Sequence, residues 1–208
     1  MRRGLTLLEL IFSMVIIALA FTVLPKILQV SAKSSVKMLK EEAMSDAVAL
    51  IGLIKALPWD ENNTQSNDIL HTDLARSNAY RCDPTTHYRR GGFAGSRGCF
   101  HDRNASAIGA DSGESEPDDI DDFEGFTKTI SNAAGTRRYT LGVRVCYVAD
   151  AMNPFSRTCI AQTSDIKYVD INITPLTKQK ELASTVARFY YHAANIGQQH
   201  INRRPWRK

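Results

Sequence analysis

A run of twenty residues, 5–24, constrains this 208-residue chain more than any other feature, because only four of its members are polar. These four are Thr6, Glu9, Ser13 and Thr22. An α-helix of about 20 residues is about 30 Å long, which matches the hydrocarbon core of a bilayer. The run therefore predicts a membrane-spanning helix, and the arginines before it predict a cytoplasmic N-terminal end.

The net charge of +4 comes from the two ends of the chain. Six of the 26 basic residues lie there, which leaves 20 basic residues against 22 acidic ones in between. The six are Arg2, Arg3, Arg203, Arg204, Arg207 and Lys208. We expect the tail at 198–208 to be solvated, so that the chain has no nucleic-acid partner. The alternative is that the tail binds nucleic acid or another acidic polymer.

Glu9 is the acidic residue within the apolar run. A carboxylate inside a membrane helix costs about 2.5–3.5 kcal/mol on insertion scales, so such a residue usually has a partner. The alternative interpretation places Glu9 at the membrane edge, where its carboxylate reaches the headgroups. A cleaved secretory signal ending near Ala20 is disfavoured, because apolar residues continue to Leu24.

The segment at residues 2–10, RRGLTLLEL, resembles the leader and mature N-terminus of type IV prepilins and pseudopilins. The resemblance implies cleavage by prepilin peptidase between Gly4 and Leu5, followed by methylation of the new amino group of Leu5. It also implies that Glu9 pairs with the amine of an adjacent subunit and sets the axial register of a filament. Leu5 departs from the family pattern, in which Phe or Met commonly begins the mature chain.

The same resemblance implies a non-enzymatic structural subunit of a type IV pilus or a related filament, with no cofactor. Its partners would be other pilin subunits through the N-terminal helix, prepilin peptidase, and the pilus or type II secretion assembly machinery. It would lie in the bacterial inner membrane as a single-pass protein and then in a periplasmic or cell-surface filament. The alternatives are a type II secretion pseudopilin, a membrane-tethered adhesin or binding domain that does not assemble, and a secreted enzyme.

The implied fold class is α+β and pilin-like, with one long N-terminal helix packed against a small antiparallel β-sheet. The predicted segments are a leader at 1–4, a membrane and filament-core helix at 5–24, its amphipathic half at 25–58, a loop-rich region at 59–135, a β-sheet region at 136–197 and a basic tail at 198–208. Pro25 predicts a break or kink in the helix, and Pro58 predicts its end.

Apolar residues at steps of three or four predict one buried stripe along the amphipathic half of the helix. The stripe is Val36, Leu39, Ala43, Ala47, Leu50, Ile54 and Leu57, and a second row is Met44, Val48 and Ile51. Alternating apolar residues predict strands at 139–147 and 169–173, with a hairpin connection at 175–180. Residues 182–193 fit a strand or a helix, and their β-branched and aromatic residues favour the strand.

Four cysteines follow the apolar run and would be exported with it, into compartments where disulfides persist. Local pairing, Cys82 with Cys99 and Cys146 with Cys159, is favoured among the three pairings that four cysteines allow. The alternative is a zinc site that also uses His87 and His101, but the spacing matches no Cys-x-x-Cys pattern.

A dense acidic cluster lies before the predicted sheet, and it contains the weak calcium candidates Asp118, Asp119, Asp121 and Asp122. Calcium prefers such oxygen ligands, and the preceding residues 111–116 resemble a degraded calcium loop. The favoured interpretation is instead a solvated acidic turn in front of a strand.

Overall fold

The computed structural model describes residues 6–63, 68–76, 82–88, 98–99, 101–110, 116–132, 137–149, 156–176 and 185–196. The chain divides into two compact units, Met1–Ala43 and Met44–Lys208. The first unit is helical from Leu7 onward. The second contains the end of that helix, the β-sheet and the loops between them. Together they give the α+β architecture that the sequence predicts.

Helix α1 spans Leu7–Ala56 and contains Pro25. Of the break or kink predicted at Pro25, the break does not occur, because the helix continues through this residue. A proline inside a helix removes one backbone hydrogen bond, and the turns on either side of it remain helical here. The helix ends two residues before Pro58, as predicted, because the residue before a proline resists helical geometry.

The predicted stripe of α1 is confirmed as its less exposed face. Leu39, Ala43, Ala47 and Ile54 are buried, and the other three members are partly buried. The second row was predicted less well, because Met44 and Val48 are exposed. The buried face is therefore a single row rather than the wider stripe.

In the described part of the chain, five strands form one antiparallel sheet. They are β1 (Thr127–Ser131), β2 (Arg137–Val148), β3 (Cys159–Ile160), β4 (Ile166–Pro175) and β5 (Ala187–Ala194). The order is β1-β2-β4-β5, and β3 also pairs with β2. β1 pairs with the first half of β2 and β3 with its last two residues, so both lie on the edge of β2 that β4 leaves free.

The inner face of the sheet carries the core of the second unit. Alternate residues of β2 are almost fully buried there: Tyr139, Leu141, Val143, Val145 and Tyr147. Opposite them on β4 are Ile173, Ile171, Val169 and Lys167. The hydroxyl of Tyr139 donates a 2.6 Å hydrogen bond to Asp46 Oδ2, which joins this face to the last turns of α1.

The loop-rich region contains more structure than the sequence predicts. Short 3-10 turns lie at Glu61–Asn63 and Asp121–Phe123, a four-residue helix α2 lies at Asp73–Arg76, and β1 begins at Thr127. The segment that fitted either a strand or a helix contains β5, so the preference for a strand is confirmed. The predicted hairpin connection lies mostly outside the described residues.

Candidate functional site

The most exposed apolar surface of the described chain lies on residues 7–30 of α1. Sixteen of the 23 large hydrophobic side chains that are exposed belong to this segment. Its 24 residues span about 36 Å at 1.5 Å per residue, which is enough to cross the hydrocarbon core of a bilayer. Among the described helices, α1 alone is long and apolar enough to cross a membrane, and its most apolar window has no buried residue.

Thr6 caps the N-terminus of this helix. Its side-chain Oγ1 accepts a hydrogen bond from the backbone N–H of Glu9 at 3.4 Å, and its carbonyl accepts one from the N–H of Leu10 at 3.1 Å. A Thr three residues before a Glu is the spacing of a capping box. The cap fixes where the helix begins, and it therefore places Glu9 in the first turn.

Glu9 is exposed in this structure, and apolar side chains precede and follow it. A carboxylate in the first turn is stabilised by the positive end of the helix dipole. That position leaves the side chain accessible to a cationic partner outside the chain. The predicted cleavage and methylation positions, Gly4 and Leu5, lie outside the described residues.

The structure joins Cys82 to Cys99 and Cys146 to Cys159, the local pairing that the sequence favours. The Cα atoms are 6.4 Å and 5.6 Å apart, within the range of protein disulfides. The second disulfide links β2 to β3, where Cys159 lies opposite Val148.

The zinc alternative receives no support from these contacts. Two of its four ligands, Cys82 and Cys99, are bonded to each other, and the ring of His101 contacts the Asp68 carboxylate. The described residues contain no group of three or more His, Cys, Asp or Glu side chains that could hold a metal ion.

The acidic cluster forms a buried turn, so the favoured interpretation of a solvated turn was wrong. Asp119, Asp121 and Asp122 are at most 9% exposed, whereas Asp118 is exposed. Asp119 Oδ1 accepts the backbone N–H groups of Asp121 and Asp122, at 2.8 and 3.2 Å. Asp122 Oδ2 accepts those of Asp118 and Asp119, at 3.0 and 3.4 Å. These carboxylates satisfy the backbone of their own turn.

A fully buried lysine pairs with this turn. Lys167 Nζ donates to Asp121 Oδ1 at 2.8 Å, to Asp60 Oδ2 at 3.1 Å and to the carbonyl oxygen of Trp59 at 2.7 Å. The same nitrogen lies 4.1 Å from the centre of the Trp59 ring and 5.4 Å from that of Tyr147. All three ammonium protons have acceptors, which is what a buried charge requires. We call Lys167, Asp60, Asp119 and Asp121 the buried lysine site.

Ser106 links the two carboxylates that bind the lysine. Its Oγ lies 2.8 Å from Asp121 Oδ2 and 3.1 Å from Asp60 Oδ2, and its backbone N–H donates to Asp60 Oδ2 at 2.9 Å. Asp60 Oδ1 accepts the N–H of Asn62.

Burial shifts two titratable groups at this site. It is the largest cause that raises the pKa of Asp119 to about 9, and a hydrogen bond and the negative charge of Asp121 add to it. Burial also raises the pKa of Tyr147, together with the charges of Asp60 and Asp121. The folded protein therefore favours the protonated form of Asp119, which is hydrogen-bonded to Asp121.

Lys167, Asp60 and Ser106 are not among the site residues that the sequence predicts. A signal for Lys167 exists, because it continues the two-residue alternation of Val169, Ile171 and Ile173 and therefore lies on the buried face of β4. Nothing local to Asp60 or Ser106 predicts that they lie beside it.

Residues 1–25 match the model of the prokaryotic N-terminal methylation motif, the type IV prepilin-type leader. The resemblance read from residues 2–10 is therefore confirmed. Comparison with curated proteins and with solved structures found no match. The motif and the exposed apolar helix support a pilin-like secreted subunit that is anchored in a membrane.

Proposed function

We propose that this protein is a structural, non-enzymatic subunit of a type IV pilus or a related filament. Prepilin peptidase would cut between Gly4 and Leu5, and the amine of Leu5 would be methylated. The observation that carries the proposal is the methylation motif at residues 1–25, which overlaps a helix segment, residues 7–30, whose apolar surface is exposed on all sides.

The exposure of residues 7–30 supports assembly through this segment. Large hydrophobic side chains recur here without a buried stripe, so the segment has no single face directed at a core. A helix that is apolar all round is stable only inside lipid or among other helices. Lipid would cover it before assembly, and equivalent helices of other subunits would cover it in the filament.

Glu9 would fix the position of each subunit along the filament axis. Cleavage creates a cationic amine at Leu5, and the Glu9 carboxylate is the one acidic group between residues 6 and 30. Pairing with the amine of a neighbouring subunit neutralises two charges in an apolar environment. Such a pair specifies register more than it adds stability.

The N-terminus of the protein purified from its host tests the processing step. Sequencing and mass spectrometry are expected to find a chain that begins with methylated Leu5. A start near Phe21 would instead support secretion by a cleaved signal, and an intact Met1 would support a simple membrane anchor. Either of these two results contradicts the proposal.

Variants of Glu9 test the assembly step separately. Glu9→Gln keeps the shape of the side chain and removes the charge, so we expect normal leader cleavage and loss of filaments; Glu9→Ala is expected to do the same. Glu41→Ala, which removes an exposed acid from the same helix, is the matched control and is expected to assemble. Normal filaments from both Glu9 variants, seen by electron microscopy, would rule out this role.

A further inference from the structure

The buried lysine site holds an amine and a carboxyl group in contact, with water excluded. Lys167 is 0% exposed, Asp60 is 0% exposed and Asp121 is 2% exposed. We propose that Lys167 and Asp121 form a self-catalysed isopeptide bond, which makes this site a place of covalent modification in the folded chain. The inference is independent of the proposed filament function.

The contact geometry suits this reaction. Lys167 Nζ lies 2.8 Å from Asp121 Oδ1, and the carboxyl carbon is one bond away from that oxygen. The attacking nitrogen is thus within roughly 4 Å of that carbon, close to the separation of about 3–3.5 Å from which bonds form. The backbone places both groups permanently, so the condensation does not need an encounter between free reactants.

The neighbouring groups can move the protons that the reaction requires. Asp60 Oδ2 lies 3.1 Å from Nζ and can take a proton from the ammonium, which exposes the lone pair of the amine. Asp119 is hydrogen-bonded to Asp121 and, with its raised pKa, holds a proton that it can donate to the departing oxygen. Ser106 Oγ, 2.8 Å from Asp121 Oδ2, can donate to the oxygen on which charge develops.

The reaction balances without an added reagent. The Nζ–Cγ bond forms between Lys167 and Asp121, and one Cγ–O bond of Asp121 breaks. An ammonium and a carboxylate become a secondary amide and one water molecule, with nothing oxidised or reduced. The amide keeps one proton of the lysine, and the water carries away two. Asp60 and Asp119 together hold one proton before and after the reaction.

The bond would join two distant parts of the second unit. It would connect β4 to the 3-10 turn at Asp121–Phe123, which precedes β1. Unlike the two disulfides, this cross-link would survive reducing conditions.

The intact mass of the full-length protein, purified in detergent and fully reduced, is the first test. We expect a mass lower by one water molecule than the sequence of the processed chain requires. Protease digestion is then expected to release a branched peptide that joins Lys167 to Asp121. An unchanged mass overturns the proposal, and so does a lighter protein that yields only linear peptides, as a succinimide would. A branched peptide through Asp60 overturns the assignment to Asp121.

Two buried acids of the same turn provide a matched pair of variants. Asp119→Asn keeps an oxygen for the two backbone N–H groups but removes the acidic proton, so we expect most of the chain to remain unlinked. Asp122→Asn also keeps its backbone hydrogen bonds, and among the described residues Lys167 makes its ion pairs with Asp60 and Asp121 rather than with Asp122, so we expect full linkage. Circular dichroism confirms that each variant is folded. Equal linkage in both variants would overturn the role of Asp119, and linkage in Lys167→Arg would overturn the bond itself.

Discussion

Lys167 shows how one residue can determine the arrangement of several loops. Its position in β4 belongs to the buried face, and a lysine there needs acceptors that the strand itself does not provide. Asp60, just after the long helix, and Asp121, in the acidic turn, supply them. Pairing in the interior does not by itself mean added stability, but removal of one partner leaves the others uncompensated.

Lys167→Met removes both the buried charge and the proposed isopeptide bond. It is therefore expected to destabilise the protein by at least about 3–5 kcal/mol, the cost of breaking a buried ion pair. Lys128→Met is the matched control, because Lys128 is exposed on β1 of the same sheet. Its free energy of unfolding is expected to change by less than about 0.5 kcal/mol. Denaturant titration of the full-length protein in detergent measures both. A Lys167 variant as stable as the control would show that Lys167 does not hold these loops.

Asp119 predicts a pH dependence of stability. Its folded-state pKa of about 9 is far above the ordinary value of 3.8, so the folded protein holds a proton that the unfolded chain releases. The stabilisation is complete below the ordinary pKa and is lost as the pH rises through the folded-state value. Between these two values, stability is therefore expected to fall with rising pH.

Comparison of the denaturation midpoints of the wild type and Asp119→Asn across that window measures this contribution as a change with pH. Loss of the proposed isopeptide bond in the variant would add an offset that does not vary with pH. The difference between the two proteins is expected to change steadily as the pH rises. Parallel curves for the wild type and Asp119→Asn would contradict the raised pKa.

At the scale of elements, the sequence predicts the helices and strands whose apolar residues recur at a regular spacing. The alternation at 139–147 indicates β2, and the steps of three and four indicate the buried row of α1. β1 was missed because it lies at the edge of the sheet and only Ile130 among its residues is partly buried, so it shows no apolar alternation. β3 has two residues, too few for any pattern.

The acidic turn was misjudged for a different reason. Its local sequence is that of a solvated loop, and its burial depends on Lys167, which lies 46 residues further along the chain from Asp121. Contacts of this kind cannot be read from composition or spacing. By contrast, Glu9 and the leader were recognisable because their signal is local. The buried lysine site is assembled from three separate segments of the chain.

The disulfide between β2 and β3 gives a prediction at the scale of elements. Its cysteines are 13 residues apart, and a closed loop of about 15 residues contributes about 3 kcal/mol to stability. The double variant Cys146→Ser/Cys159→Ser is expected to lose about that much, with additional loss because Cys146 is buried beside Val148 and Tyr168. Denaturant titration under non-reducing conditions measures it.

Reduction of the wild type checks that the loss of stability comes from the missing disulfide Cys146–Cys159 and not from the serine substitutions. A reductant breaks both disulfides of the wild type but only Cys82–Cys99 of the double variant. It is therefore expected to lower the free energy of unfolding of the wild type by more than that of the double variant. A double variant with the stability of the wild type would show that β3 is held without the disulfide.

At the scale of the whole molecule, the apolar surface is divided very unequally. Residues 7–30 carry most of the exposed large hydrophobic side chains, whereas the buried residues of α1 begin only at Leu39. Surface of this kind is rarely left in water by a monomeric protein. The residues that form the core of the sheet all lie outside this segment. The exposed apolar surface and the folded core therefore belong to different parts of the chain.

A chain of residues 31–208 is therefore expected to be soluble and monomeric without detergent and to keep its β-sheet and both disulfides. The full-length chain is expected to need detergent or lipid, because none of the residues that the structure describes covers residues 7–30. Analytical ultracentrifugation gives the association state, circular dichroism the sheet content, and mass before and after reduction the disulfides. A shortened chain that still aggregates would place the associating surface elsewhere, for instance at the exposed Met44, Val48 and Leu53 of the remaining helix. A full-length chain that stays monomeric in plain buffer would remove the physical reason for a membrane or filament environment, since its exposed helix would then need no cover.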